Sequence, residues 1–263
     1  MCSPVRLKYI AALLLCAASR GADNPPALAG HPSLSIAAAA NFIPVLGELD
    51  TAFVHAEPDV ALTMSAGASG NLFAQIRNGA PFDVFLSADL EFPRRLAQDG
   101  SAEALSITRF ATGRIVLWTT RPEVDMSSIA AVVRSPEVQK LAIANPVTAP
   151  YGRAAQQALE RLGLAAEAAP KLVTGENISQ TAEFVETGNA DAGFVALSLV
   201  LSPKLKDRGR WIEVPAGLYD PLEHAAVITV HGANNPEARH YIMFLRSAEA
   251  RKILARFGYG VPK

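Results

Sequence analysis

Strand-like and helix-like runs alternate along nearly the whole chain, and no other feature limits the possible folds as much. Leu34–Ala39 has the length and apolar character of a buried strand, and Ile43–Val54 places Phe, Val and Leu on one helical face. Val60–Met64 and Leu72–Asn78 repeat the pair, as do Val84–Leu86 and Glu91–Gln98. A helix between two strands is the crossover that parallel pairing needs. The sequence therefore predicts an α/β fold with mostly parallel sheets flanked by helices.

The pattern restarts after Phe110–Gly113. Strands are expected at Arg114–Trp118, Leu141–Ala144, Leu172–Val173 and Ala192–Val195, with helices at Arg153–Leu162 and Ser179–Thr187. Ala225–Val230 reads as a last strand. Pro236–Phe257 reads as a helix, opened by proline and closed by Gly258, where those residues are favoured. The shared rhythm of the halves predicts two lobes, each a mostly parallel sheet with helices. The first is discontinuous, residues 31–112 plus 225–263, and residues 113–224 form the second. The chain then crosses between lobes near Phe110–Gly113 and Tyr219–Ala225. A single doubly wound domain is the alternative that length leaves open.

The N-terminal stretch has the order of an export signal. Arg6 and Lys8 precede the apolar run Tyr9–Ala18, small residues follow, and Gly21–Gly30 is a loose linker. Residues 1–30 are therefore expected to be a signal peptide and linker, which makes the protein periplasmic. Leu15 precedes Cys16 where lipidation calls for a small residue, so no lipid anchor is expected. Cys2 and Cys16 are the only cysteines, and both lie in this stretch. A processed chain has no disulfide, thiol nucleophile or cysteine metal site. Its stability must come from a core, for which a chain that is 50% hydrophobic has ample material. Losing Arg6, Lys8, Arg20 and Asp23 moves the formal charge from −1 to −3. With no basic run, nucleic acid is not an expected partner.

Four strand-to-helix junctions have the residue types of an anion site. The first, AAAANF at Ala37–Phe42, lets a ligand approach the backbone closely, and Asn41 is both an amide donor and a good helix N-cap. The second, SAGASGN at Ser65–Asn71, can form a turn of exposed N–H groups with the Ser69 hydroxyl beside it. The third, NPVTAPYG at Asn145–Gly152, is stiffened by Pro146 and Pro150 and presents Tyr151. The fourth, GENISQ at Gly175–Gln180, offers Asn177 or the Ile178 N–H at another helix entrance. Each also has a plain structural use as a cap or turn. Arg153 is read as a solvent-facing first-turn residue, Asp89 as a helix cap, and the five histidines as surface residues without metal-ligand spacing.

Together these stretches resemble the periplasmic molybdate-binding proteins of ABC importers. The likeness runs on through NGAPFDVFLSAD at Asn78–Asp89, ANPVTAPYGRA at Ala144–Ala154 and DAGFVALS at Asp191–Ser198. It implies a two-lobed periplasmic-binding-protein-like fold that captures molybdate, and tungstate with it, between the lobes. By motif, Asn41 and Ser69 supply first-lobe contacts, and Tyr151 and the Ile178 backbone N–H supply second-lobe contacts. Some members have a hydroxyl at the position of Ala40, which here offers its backbone alone. Others use a tyrosine in the segment matching Phe194–Leu197, where this chain has Ala196; Tyr151 takes its place. Molybdenum is then held only through its oxyanion oxygens, with no protein ligand to the metal, no cofactor and no catalysis. The resemblance also implies a monomer that delivers its ligand to a membrane ABC permease.

Molybdate is a fully deprotonated dianion at neutral pH, so every oxygen needs a donor, and fixed N–H and O–H groups in a dry cleft supply them. Phosphate keeps a proton and needs an acceptor carboxylate, which these motifs lack. A receptor for sulfate or another oxyanion remains an alternative, because pocket size is not written in the sequence. An enzyme of similar fold, such as a porphyrin-pathway deaminase, needs a cysteine to anchor its cofactor.

Overall fold

The structure, a computed structural model, describes residues 32–260. The expected signal peptide and linker, with Cys2 and Cys16, lie outside the described residues. In chain order the elements are β1 (Ser33–Ala39), α1 (Ile43–Ala56), β2 (Ala61–Gly67), α2 (Ser69–Arg77), β3 (Val84–Ser87), α3 (Glu91–Gln98) and β4 (Thr108–Gly113). The second run is β5 (Ile115–Thr119), α4 (Ile129–Arg134), β6 (Leu141–Ala144), α5 (Pro150–Arg161), α6 (Ala165–Ala168), β7 (Leu172–Gly175), α7 (Ile178–Glu186), β8 (Ala192–Ala196), α8 (Leu197–Val200) and β9 (Arg210–Glu213). β10 (Leu222–Ile228), α9 (Pro236–Leu245) and α10 (Ala248–Arg256) complete the chain.

The strands form two five-stranded sheets of identical plan, β2-β1-β3-β10-β4 and β7-β6-β8-β5-β9. Three strands of each are parallel, joined by helical crossovers. β10 and β5 each run antiparallel to both of their neighbours, so four of the five strands in each sheet point one way and one reversed strand makes the sheet mixed. The reason is the connection: β10 and β5 are reached from the other sheet, with no βαβ crossover to fix their direction. The chain leaves the first sheet between Gly113 and Ile115 and returns between Glu213 and Leu222.

Side-chain alternation on the strands explains the layering. Ala37, Phe85 and Val227 pack with Leu72 and Phe73 of α2 and with Phe92 and Leu96 of α3. Their neighbours Ile36, Ala38, Val84, Leu86, Ala226 and Ile228 face the opposite way, into the main core with Leu49 and Phe53 of α1 and Leu245 of α9. The expected single helix over Pro236–Phe257 is two: α9 ends at Leu245, and the Ser247 hydroxyl caps the Ala250 N–H of α10 at 3.1 Å. A serine that caps a new first turn outcompetes continuation of the old helix.

Candidate functional site

The carboxyl ends of β1, β2, β6 and β7 each lead into a helix, and the four helix starts meet at one chamber. Open α/β sheets bind ligands at this position. Ala39, Ala40, Asn41, Gly67, Ala68, Ser69 and Ala88 line it from the first sheet; Ala149, Pro150, Tyr151 and Ile178 line it from the second. No lining residue carries a charge. Its cavity volume, taken as room for the centre of a water-sized sphere, is about 10 Å³. Pockets for organic ligands run to about 300–1,000 Å³, so this one suits an inorganic ion of a few atoms.

Each helix start keeps backbone donors free for the chamber. The first N–H groups of a helix have no partner within it. At α7 the Asn177 side chain accepts from the Ser179 and Gln180 N–H groups at 2.9 and 3.1 Å, leaving that of Ile178 at the chamber wall. At α5 the cap is Ala149, which has no side-chain acceptor; Pro150 has no N–H, and that of Tyr151 comes next. At α2 the cap is Ala68, again without a side-chain acceptor. Ser69 Oγ accepts from the Ala88 N–H at 3.0 Å, so its hydroxyl proton is free for another acceptor. After β1, Ala40–Phe42 form a single 3-10 turn before α1, and no side chain caps it. Four positive helix ends and uncharged walls form a site for an anion.

The five residues singled out by sequence, Ala40, Asn41, Ser69, Tyr151 and Ile178, all line this chamber and are all buried. Two side chains take different partners from those expected. Asn41 does not cap α1: its amide nitrogen donates to Tyr259 Oη at 2.9 Å and lies 3.4 Å from His224 Nε2. The Tyr151 hydroxyl also lies 3.4 Å from His224 Nε2. Both side chains thus meet at His224, which is not itself among the lining residues. Burial pushes the Tyr151 phenol well above its usual range.

His224 and Tyr259 were not found by sequence reasoning. His224 was expected at the surface and is fully buried, because β10 begins at Leu222 rather than Ala225 and carries it inside. Burial holds it neutral, with its pKa down at about 3. Tyr259 Oη donates to the Asn41 carbonyl at 2.8 Å, and Ser198 Oγ on α8 donates to the same oxygen at 2.9 Å. Arg153, expected to face solvent, instead crosses the cleft. It binds Asp89 at 2.6 Å and Glu91 at 3.1 Å, outside the chamber. Asp89 Oδ1 accepts from the Phe92 N–H at 3.1 Å, the capping role expected of it. Burial raises the Asp89 pKa, against the pull of that N–H and of Arg153.

Residues 34–260 match the bacterial extracellular solute-binding protein family. The chain is 38% identical over 251 residues to the molybdate-binding protein ModA of Azotobacter vinelandii, covering 95% of this chain and 94% of that one. It is 39% identical over 234 residues to ModA of Rhodobacter capsulatus, covering 89% and 90%. The solved structure of the periplasmic molybdate-binding protein of Azotobacter vinelandii superimposes with a TM-score of 0.82 at 34% identity, over 88% of this chain and 100% of that one.

Proposed function

Since the chain belongs to the bacterial extracellular solute-binding proteins and, within them, to the family of the molybdate-binding proteins, we propose that it is an exported receptor for molybdate that serves an ABC importer. One observation carries the reading: four helix N-termini from two sheets meet at a small chamber with no charged residue in its wall. A tetrahedral dianion needs donors on every side and no acceptor. Here the donors are the main-chain N–H groups of the Ala40–Asn41 turn, Ser69, Tyr151 and Ile178, with the Ser69 hydroxyl. They are oriented before the ligand arrives, so little ordering cost opposes binding. Tungstate has the same charge and shape and belongs to the same ligand class.

In this reading the two lobes close on the ion and the closed form is the one presented to a membrane permease. Hinge closure around a ligand is the usual motion of such two-lobed proteins. The chain passes between the sheets at Arg114 and across residues 214–221, which makes these the hinge segments. The protein binds and releases its ion without chemical change to it.

Titration calorimetry with molybdate, tungstate, sulfate and phosphate tests the proposal. Molybdate and tungstate are expected to bind tightly, and sulfate and phosphate far more weakly. Binding of sulfate as tight as that of molybdate would replace this reading with that of a general oxyanion receptor.

A further inference from the structure

The chamber rests on residues that do not line it, and one of them, His224, touches both lobes. It lies on β10, fully buried, with Phe42 edge-on at 5.0 Å, Tyr259 edge-on at 5.4 Å and Tyr151 stacked at 5.9 Å between ring centroids. Its Nε2 is 3.4 Å from the amide nitrogen of Asn41 and 3.4 Å from the hydroxyl of Tyr151. Both of these groups can donate, and a neutral imidazole protonated at Nδ1 offers Nε2 as the acceptor for them. Nδ1 itself is buried with no partner. A phenylalanine would fill the same space among the same aromatic rings without leaving that polar atom unpaired, so packing alone does not call for histidine here.

The position of the contact matters as much as its chemistry. Asn41 belongs to the first lobe and Tyr151 to the second, and both line the chamber. The contact sits against Gly113, where the chain crosses between sheets. A Cβ at Gly113 would collide with Tyr151 Oη and lie 2.6 Å from His224 Cε1. The Tyr151 ring thus reaches out of its own lobe into the crossover and ends on His224.

We propose that His224 is a positioning residue for the oxyanion chamber: its Nε2 ties the Asn41 turn of one lobe to Tyr151 at the head of α5 in the other, and so sets the spacing of the two turns in the closed form. This rests on the oxyanion-receptor reading above. The imidazole does not touch the ion. It acts through the two residues whose main chains do.

The test compares His224→Phe, His224→Gln, Tyr151→Phe and the double variant His224→Phe/Tyr151→Phe. Each is measured for unliganded melting temperature and for molybdate affinity by calorimetry. His224→Phe is expected to keep its fold and to bind molybdate about tenfold more weakly. His224→Gln places a polar atom near the position of Nε2 and is expected to stay within about threefold of the natural chain. Tyr151→Phe removes the same contact from the other side, so the double variant should lose little beyond either single one. Should His224→Phe not fold, the contrast of Tyr151→Phe with His224→Gln decides. Unchanged affinity in both His224→Phe and Tyr151→Phe overturns the proposal, as do fully additive losses or a glutamine variant no better than phenylalanine. Each of those results leaves the receptor reading standing; an unsubstituted chain that binds no oxyanion overturns both.

Discussion

The Gly70 N–H donates to the Thr148 carbonyl across the cleft at 2.8 Å. Gly70 is the second residue of α2 and Thr148 lies just before α5, so the bond joins two of the four helix starts around the chamber. A side chain has no room at Gly70 in this geometry. A Cβ there would lie 2.9 Å from both the Cα and the carbonyl oxygen of Thr148, and 3.1 Å from the Phe92 ring.

Gly70→Ala is therefore expected to obstruct closure while leaving both lobes folded. Alanine is the better helix former by about 1 kcal/mol, so the unliganded melting temperature should hold or rise slightly. Molybdate affinity should fall by about tenfold or more. Calorimetry beside a thermal melt separates the two effects; unchanged affinity would mean that the bound form lacks the Gly70–Thr148 contact.

Ser69 and Arg153 make a paired test of a neutral chamber. Ser69→Ala removes the hydroxyl and also leaves the Ala88 N–H without its acceptor. A lost hydrogen bond to a charged group is worth about 1.5–3 kcal/mol, so affinity should fall by about tenfold or more. Arg153→Ala removes partly exposed ion pairs at the cleft edge, worth about 0.2–1 kcal/mol, and should cost less than about fivefold, diminishing as salt rises. A dominant Arg153 with a neutral Ser69 would contradict the reading.

The parts of this site that sequence made legible are those written locally. The run of small residues at Ala37–Ala40, the serine at the head of α2 and the Pro-bounded loop before Tyr151 each mark a strand-to-helix turn on their own. Helix starts were read late, at Leu72 and Arg153 instead of Ser69 and Pro150, because small polar residues and proline look like loop until they are placed in a first turn. β4 and β9, edge strands with exposed residues, lack the apolar run that marks a buried strand. The layer beneath the chamber is not local at all. Asn41 meets Tyr259 across 218 positions and His224 across 183. No periodicity within a window of the chain encodes such pairs; only the return of β10 and the C-terminal segment to the first sheet brings them together.

Asp50 gives a prediction about stability that is independent of the ligand. Its Oδ1 and the Tyr241 hydroxyl are both buried without a partner. Burial lifts the Asp50 carboxyl from 3.8 to about 6. The folded protein holds that proton more tightly than the unfolded chain does. The resulting stabilisation is complete below pH 3.8 and is lost as pH rises through about 6. Asp50→Asn removes the buried charge, so the variant should melt above the natural chain at about pH 7.5 and level with it near about pH 4. Melting both proteins over that range at constant ionic strength checks the sign. A difference that persists undiminished to the acid end would place its origin elsewhere.

Molybdate affinity should be nearly flat from about pH 7 to 9. Unperturbed carboxylates and histidines are already deprotonated across that window, so any strong dependence must come from a contact that titrates within it. The chamber wall offers main-chain N–H groups, which do not titrate, and the Ser69 hydroxyl, which does not either. Tyr151 is the single phenol in the wall, and burial pushes it well above its usual range, away from the window. Beneath it, burial holds His224 at about 3, far below the window, so it stays neutral throughout. A lysine or histidine that held the ion by its charge would lose affinity as it gave up its proton; this arrangement has none to give up. Calorimetric titrations at constant ionic strength, in buffers that do not bind metal oxyanions, measure the slope directly. A fall of more than about tenfold across the window, or about 1.4 kcal/mol, would show that a titrating cation and not a set of neutral donors holds the ion.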